Sequence, residues 1–485
     1  MTIIRTAMLA LALGAALPVS AQPAPPTPTP TLQQSVEARL RQAGPGVRFG
    51  LVVATEDGRE LVAIAPDARF IPASNTKLVT TAAAFATLAD LDRPDTAGGA
   101  SVALETERGH APDVVLEGFG DARLSSAPEC IANCLAALAD AVAARTRRVR
   151  DVIGDDSFFP DQRWSPGMSW NNIPTWSGTA ISALTLDDNE LVLRVSPGAV
   201  GQPPALDAMP YYTIDNRAVT VATGETDLSY DRLPFGNVLR LTGTILSGTE
   251  PRRLRLGIDD PAHYAAWRLR ALLEARGVGV TGSVRAHLRP VGAAAATPPD
   301  RRMERELLLR LAPPPLAEDL RVINKVSQNL HAELLLRRLG RQRGTGLIAD
   351  GLAVVQATLA RAGLRRTDYD FSDGSGMSTY NRVSPRGMVT LLRWAAGQPW
   401  GAAWRATFPV AGVDGTLARR FRGTPLQGRL FAKTGSLNAT SALAGYMIAR
   451  SGRTLVFAIY ANDVPDGASA VPAMDAALVM IAERN

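Results

Sequence analysis

The sequence predicts a multidomain α/β protein in which one α/β domain is interrupted by a β-rich insert. Three observations point there. The 485 residues are too many for one ordinary domain. An apolar content of 46% against 20% charged residues allows large buried cores. The texture of the chain also changes twice: between residues 95 and 295 short strands with many Gly and Pro replace longer helical and strand runs on either side.

Taken in order, the N-terminus reads as a targeting segment. Arg5 is its charge, AMLALALGAALPV its apolar run, and Val19-Ser20-Ala21 a small-residue cleavage site. The run falls short of the ~20 residues that span a bilayer, so export with cleavage near Ala21 is expected over a membrane anchor. No later stretch is long and apolar enough to span. PAPPTPTPT then reads as a Pro-rich tether, residues 22–31. GVRFGLVVATEDGRELVAIAPDARF, residues 46–70, reads as two strands around the turn Glu56-Asp57-Gly58. KLVTTAAAFATL is a helix apolar enough to be buried on most sides, with Ser74 at its start. In the insert, VRDVIGDDSFF, NELVLRVSPG and VLRLTGTILSG are strands, and PAHYAAWRLRALLEARGVGV is a helix leading into one. GAAAATPPDRR (292–302) is a linker. Helices resume with LAEDLRVINKVSQNLHAELLLRRLG and GLAVVQATLARAG, in which the Leu334–Leu336 stripe is core. The end reads as strands RLFAKTGSL, SALAGYMIAR and RTLVFAIYAND, closed by a helix from about residue 468.

The formal net charge is +6. The arginines are scattered rather than gathered on aromatic-interleaved stretches, so no nucleic acid is expected as partner; a mildly basic surface helps steer an anionic polymer. Cys130 and Cys134 are the two cysteines. In an oxidising compartment such a pair bonds, and Pro128 suggests that a helix only begins here; two buried thiols are the alternative. No H-E-x-x-H occurs and no His lies near the cysteines, so neither metal nor cofactor is called for.

Lysine usage carries the chemical signal. Of 52 Lys plus Arg, only Lys77, Lys325 and Lys433 are lysine. Ser74 and Lys77, at i and i+3 on a helix, share a face at roughly 5–6 Å. Serine is a poor nucleophile until a base takes its proton. A buried lysine beside another positive charge can be that base, whereas Arg stays protonated. Lys325 opens KVSQN, where Ser327 can relay a proton and Asn329 can hold a substrate amide or Lys77. Lys325 itself is either a second positive charge near the site or, as preferred here, a contact that fixes the loop. Lys433-Thr434-Gly435-Ser436 lies on a strand. Lys433 and Thr434 can hold a substrate carboxylate, Gly435 leaves room for close backbone approach, and the N–H groups of Ser436 and Ser74 form an oxyanion hole. Of the histidines, His331 alone is near the cleft and reads as a helix-surface or packing residue; Met377 reads as cleft wall or core.

Together, Ser-x-x-Lys, Ser-x-Asn and Lys-Thr-Gly in this order resemble the motif set of penicillin-binding proteins and serine β-lactamases. With the long insert, INKVSQNLHAEL, DGSGMSTYNRVSP and AKTGSLNATSALAGY, the mature chain is similar to the class C low-molecular-mass penicillin-binding proteins, the D-Ala-D-Ala carboxypeptidase/endopeptidases of peptidase family S13. That resemblance implies a transpeptidase-like α/β domain, an antiparallel sheet flanked by helices, carrying two inserted β-rich domains. The expected boundaries are 32–95 and 292–485 for the catalytic domain, 96–185 and 250–291 for the first insert, and 186–249 for the second. It further implies a periplasmic enzyme that cleaves peptidoglycan stem peptides and cross-links and is acylated by β-lactams. In it Ser74 forms the acyl-enzyme, Lys77 activates it, Ser327 passes the proton, Asn329 orients, Lys433 and Thr434 hold the carboxylate, and Asp373 to Ser378, Met377 included, border the cleft. One departure concerns the peptide's side chain. Thr379 stands where family members often carry an Arg, and Trp170-Asn171-Asn172 lacks the acidic residue expected there. The rival readings are a β-lactamase or esterase on the same fold, and a wall-binding protein without catalysis.

Overall fold

The computed structural model describes residues 30–293 and 303–485. The targeting segment, most of the tether and the larger part of the 292–302 linker lie outside the described residues. Thr31, expected in the tether, instead caps a helix. Its hydroxyl accepts from the Gln34 N–H at 3.2 Å, and the Gln34 side chain accepts from the Thr31 N–H at 2.9 Å, which satisfies two orphan donors of the Leu32–Leu40 helix.

The catalytic half is built on an antiparallel five-stranded sheet. Its order is Leu430–Leu437, Thr440–Ile448, Thr454–Asn462, Arg48–Thr55 and Glu60–Ile64, so the chain's start pairs with its end. Side chains on a strand alternate between faces, and here both faces are covered. Leu51 and Val53 join Phe457 and Ile459 under the helices Leu32–Leu40 and Val471–Glu483. Val52 and Ala54 join Ala458 and Tyr460 against the helix Thr76–Thr87 and its neighbours. Thr76–Thr87 is therefore a central helix, with nine of its residues from Thr76 to Ala84 buried.

The insert holds a mixed five-stranded sheet ordered Val284–Arg289, Val152–Pro160, Asp113–Glu117, Ser101–Glu107 and Met303–Arg310, backed by the helices Leu135–Arg145 and Pro261–Ala275. Two boundaries move as a result. Met303–Arg310 pairs antiparallel with Ser101–Glu107, so an edge at residue 292 would separate two hydrogen-bonded strands. Arg252–Gly257 pairs with Glu190–Ser196, so the edge expected at residue 250 would cut a hydrogen-bonded strand pair. One core runs through both parts of the insert, from Ala100 through Leu191 and Leu239 to Val278. Cys130 and Cys134 are disulfide-bonded, with Cα atoms 5.8 Å apart, just ahead of the helix that starts at Leu135.

Candidate active site

Ser74 sits in a 3₁₀ turn, Ala73–Asn75, immediately before the central helix. Ala73 is in the left-handed region at φ 46°, a conformation that costs a non-glycine residue energy and aims the following side chain outward. Lys77, in the helix's first turn, is completely buried. Its Nζ lies 2.9 Å from Ser74 Oγ, 2.6 Å from Asn329 Oδ1 and 2.7 Å from the Ser375 carbonyl. Two of these partners can only accept. A neutral amine has two hydrogens and one lone pair, so it donates to Asn329 and Ser375 and turns its lone pair to the Ser74 hydroxyl. Burial pushes Lys77 down to about 7, against the opposing pull of Asp373 and Glu333.

Ser327 occupies the break between the helices Leu316–Lys325 and Asn329–Arg341 and is itself left-handed, at φ 66°. Its Oγ accepts from Lys433 Nζ at 2.8 Å, and Lys433 also donates to the Thr434 carbonyl at 2.7 Å. Lys433 is fully buried, and burial together with Lys77 holds it well below the usual lysine value. Lys433 thus lies beneath the cleft against Ser327, while Thr434 and Ser436 line the cleft itself.

Gly435 is required by close approach. A Cβ there would stand 2.6 Å from the Pro72 carbonyl and 3.2 Å from the Ser74 nitrogen. Only glycine lets the strand lie beside the nucleophile's N–H. Asn75 Nδ2 donates to the Lys433 carbonyl at 2.7 Å and pins the same pair of elements.

The opposite wall is the Asp373–Ser378 loop. Asp373 accepts from the N–H groups of Gly376 (2.9 Å) and Ser378 (2.6 Å) and from Asn381 Nδ2 (2.6 Å). At φ 92°, Gly376 passes so close that a Cβ would meet the Ala73 carbonyl at 1.9 Å. Met377 lines the cleft as expected. Ser378 does not: it is buried, and its hydroxyl is spent on the Pro166 carbonyl of the insert at 2.6 Å.

The cleft has a volume of about 580 Å³. Ser74, Ser327, Asn329, Thr434 and Ser436 line it, together with Ser169, Asn172, Trp176 and Ser177 of the insert and Thr379. Among the described residues lining it, none is Lys, Arg, Asp or Glu. Trp170 is exposed outside.

Sequence reasoning missed several supports. The Ser177 carbonyl accepts from Asn329 Nδ2 at 2.9 Å, fixing which way that amide points. Lys325 was not missed: it pairs with Asp414, as the loop-fixing contact preferred for it. Of the two readings of His331, surface or packing, the buried one holds. Its Nε2 is 2.9 Å from Asp188 Oδ1 and its Nδ1 3.5 Å from Asp319 Oδ1. Burial pushes the imidazole down, but the two carboxylates outweigh it and raise it to about 9. Asp188 reaches it from a left-handed turn, Asp187–Asn189, so insert and catalytic half meet one turn behind Ser327.

Residues 32–485 match the family model described as D-Ala-D-Ala carboxypeptidase 3 (S13) family. The chain belongs to that family. It is 34% identical over 475 residues to the D-alanyl-D-alanine carboxypeptidase of Actinomadura sp. strain R39, covering 93% of this chain and 84% of that protein. Over 329 residues it is 25% identical to the D-alanyl-D-alanine carboxypeptidase DacB of Haemophilus influenzae, covering 65% of this chain and 66% of that one. The crystal structure of penicillin binding protein 4 from Haemophilus influenzae has the same fold. Its TM-score is 0.77 at 22% identity, over 93% of this chain and 98% of that one. A second structure of that protein, complexed with a β-lactam, scores 0.71 at 20% identity over 91% and 97%. Among the described residues no helix is long and apolar enough to cross a membrane.

Proposed function

We propose that the chain is an exported, periplasmic serine-type D-Ala-D-Ala carboxypeptidase and endopeptidase that acts on peptidoglycan stem peptides and cross-links and is acylated by β-lactams. Family membership and the activities named for the relatives support the reaction class. The observation that carries the residue roles is Lys77, buried, with two acceptors filled and its third contact on Ser74 Oγ.

The neutral Lys77 amine takes the proton of Ser74 as Oγ attacks the carbonyl carbon of the penultimate D-Ala. The N–H groups of Ser74 and Ser436 hold the oxyanion, charge that exists only on the way to the acyl-enzyme. The proton then passes through Ser327 to the leaving nitrogen, the C–N bond breaks and D-Ala departs. Lys433 keeps the Ser327 hydroxyl aimed for this step. Water attacks the ester carbonyl and gives its proton to Lys77, which passes it to Ser74 Oγ as the C–O bond breaks, freeing the shortened peptide and restoring the serine. In a cross-link the leaving nitrogen belongs to the neighbouring peptide; in a β-lactam it stays attached through the opened ring. The terminal carboxylate is held by the hydroxyls of Thr434, Thr416 and Ser436, with Lys433 supplying field from below. The peptide's side chain meets Asn172, Trp176 and Thr379, neutral groups that recognise it by hydrogen bonding rather than ion pairing.

The catalytic domain in this reading comprises residues 32–95 and 311–485, with 96–310 inserted. The test is incubation with fluorescent penicillin and, separately, with cross-linked muropeptides, products being read by mass. Release of one D-Ala, splitting of dimers and a stable adduct on Ser74 are expected. Neither product nor adduct, or an adduct that survives Ser74→Ala, overturns it.

A further inference from the structure

Glu333 lies four residues after Asn329 on the same helix, hence on the same face. It is buried, and the reaction described above does not use it. Its Oε1 accepts from the N–H groups of Gly374 (3.0 Å) and Ser375 (2.9 Å). The carbonyl of Ser375 is one of the two acceptors that hold Lys77. The carboxyl is therefore one residue removed from the base: it holds Ser375 by its N–H, and the carbonyl of that same residue, in the next peptide unit, is the one the base rests against. Its other oxygen, Oε2, has no hydrogen-bond partner among the described residues. Glu333 lines a small chamber of about 20 Å³ together with Asn329, Ser375, Met377 and, from the insert, Arg163 and Ser177. Both acceptors of Lys77 thus border the chamber that Glu333 lines.

We propose that Glu333 is a positioning residue for acylation: it fixes the Ser375 carbonyl against Lys77, and its own charge sets how readily Lys77 releases a proton. The inference rests on Lys77 acting as the base. The charged groups around Glu333 are Arg337 on its own helix, Asp373 on the loop, Lys77 on the central helix and Arg163 on the insert. Burial and Asp373 push Glu333 up to about 7, with Arg337 opposing, so its carboxyl changes charge in the range where Lys77 does. An ionised Glu333 favours the ammonium form of Lys77. A neutral one favours the free amine, which is the form that attacks.

The chain's three lysines make the test direct. In protein labelled with ¹³C at the lysine ε-carbon, three side-chain signals titrate separately, and Lys77→Arg assigns the relevant one. Glu333→Gln keeps a carbonyl oxygen for both N–H groups but removes the charge. The expected result is a fall in the Lys77 midpoint of roughly one pH unit, with the plateau rate of β-lactam acylation within about threefold of wild type. Glu333→Leu removes the acceptor as well and should lower that rate by about tenfold or more. A Lys77 midpoint that moves by less than about half a unit in the Gln variant overturns the electrostatic half. Equal rates in the Gln and Leu variants overturn the positioning half. If neither variant folds, the wild-type curve decides: Lys77 should titrate in two steps as Glu333 ionises beside it, and a single-step curve refutes the inference. Failure of the base assignment looks different, since Lys77→Arg would then still acylate whatever Glu333 does.

Discussion

Lys77 and Lys325 are the same residue in opposite surroundings. Lys77 is sealed beneath the cleft, with a hydroxyl, an amide oxygen and a backbone carbonyl around its nitrogen and no carboxylate in contact. Lys325 is half-buried and ends on the Asp414 carboxylate, whose other oxygen accepts from the Val410 N–H at 2.8 Å. One environment penalises the ammonium and the other welcomes it. In a chain that otherwise uses Arg almost throughout, this difference is the one the proposed base role of Lys77 calls for.

The largest effect that would sharpen the contrast is Lys77→Arg. A guanidinium keeps its proton at any working pH, so acylation by a β-lactam should fall by about 1,000-fold or more, read as the second-order rate of adduct formation. Gly376→Ala attacks the same pocket from its wall. The added methyl meets the Ala73 carbonyl and the φ is unfavourable, so the Ser375 carbonyl shifts and acylation should drop on the order of 100-fold.

Stability should move in the opposite direction. Lys77 has a folded-state value near 7, below its unfolded value of ~10.4, so burying it costs stability fully below pH 7 and not at all above the unfolded value. Lys77→Met should therefore raise the melting temperature at pH 6, and the gain should shrink steadily towards pH 10. His331 has the reverse sign. Its folded value is raised to about 9, so its contribution is complete below the unfolded value of ~6.5 and is lost as pH climbs through 9. The melting temperature of the wild type relative to His331→Gln should therefore fall across that window, since the Lys77 contribution is common to both proteins and cancels in the difference. The smallest effect is expected for Lys325→Arg, which keeps a cation for Asp414 and should leave acylation within about twofold. Equal losses in Lys325→Arg and Lys77→Arg would erase the distinction between the two sites.

Much of the fold and the site could be read in advance because their signals are local. The two strands around Glu56-Asp57-Gly58 and the spacing of Ser74 and Lys77 each lie within one hairpin or one helical turn. Ser327 was legible from its Ser-x-Asn spacing to Asn329, though not its left-handed backbone. What escaped was supplied across space. The Ser375 and Ser177 carbonyls are backbone groups with no residue preference, and Ser177 arrives from the insert, 152 residues before Asn329. Ser378 resembled a cleft residue by position but turns to the Pro166 carbonyl, a contact visible only once the insert is in place. His331 could be read only as a helix-surface or packing residue; its ion-pair partners, Asp188 and Asp319, sit on other elements. Glu333 did carry a signal, its four-residue spacing from Asn329 on one helix face.

The base assignment rests on an amine that is neutral when it meets the serine, and the pH dependence of acylation tests this most directly. With a chromogenic β-lactam, the second-order rate should climb about tenfold per pH unit below 7 and level off above it, with the adduct on Ser74 throughout. A rate that is flat from pH 5 to 9, or one still rising towards the ~10.4 of an ordinary lysine, would contradict the account.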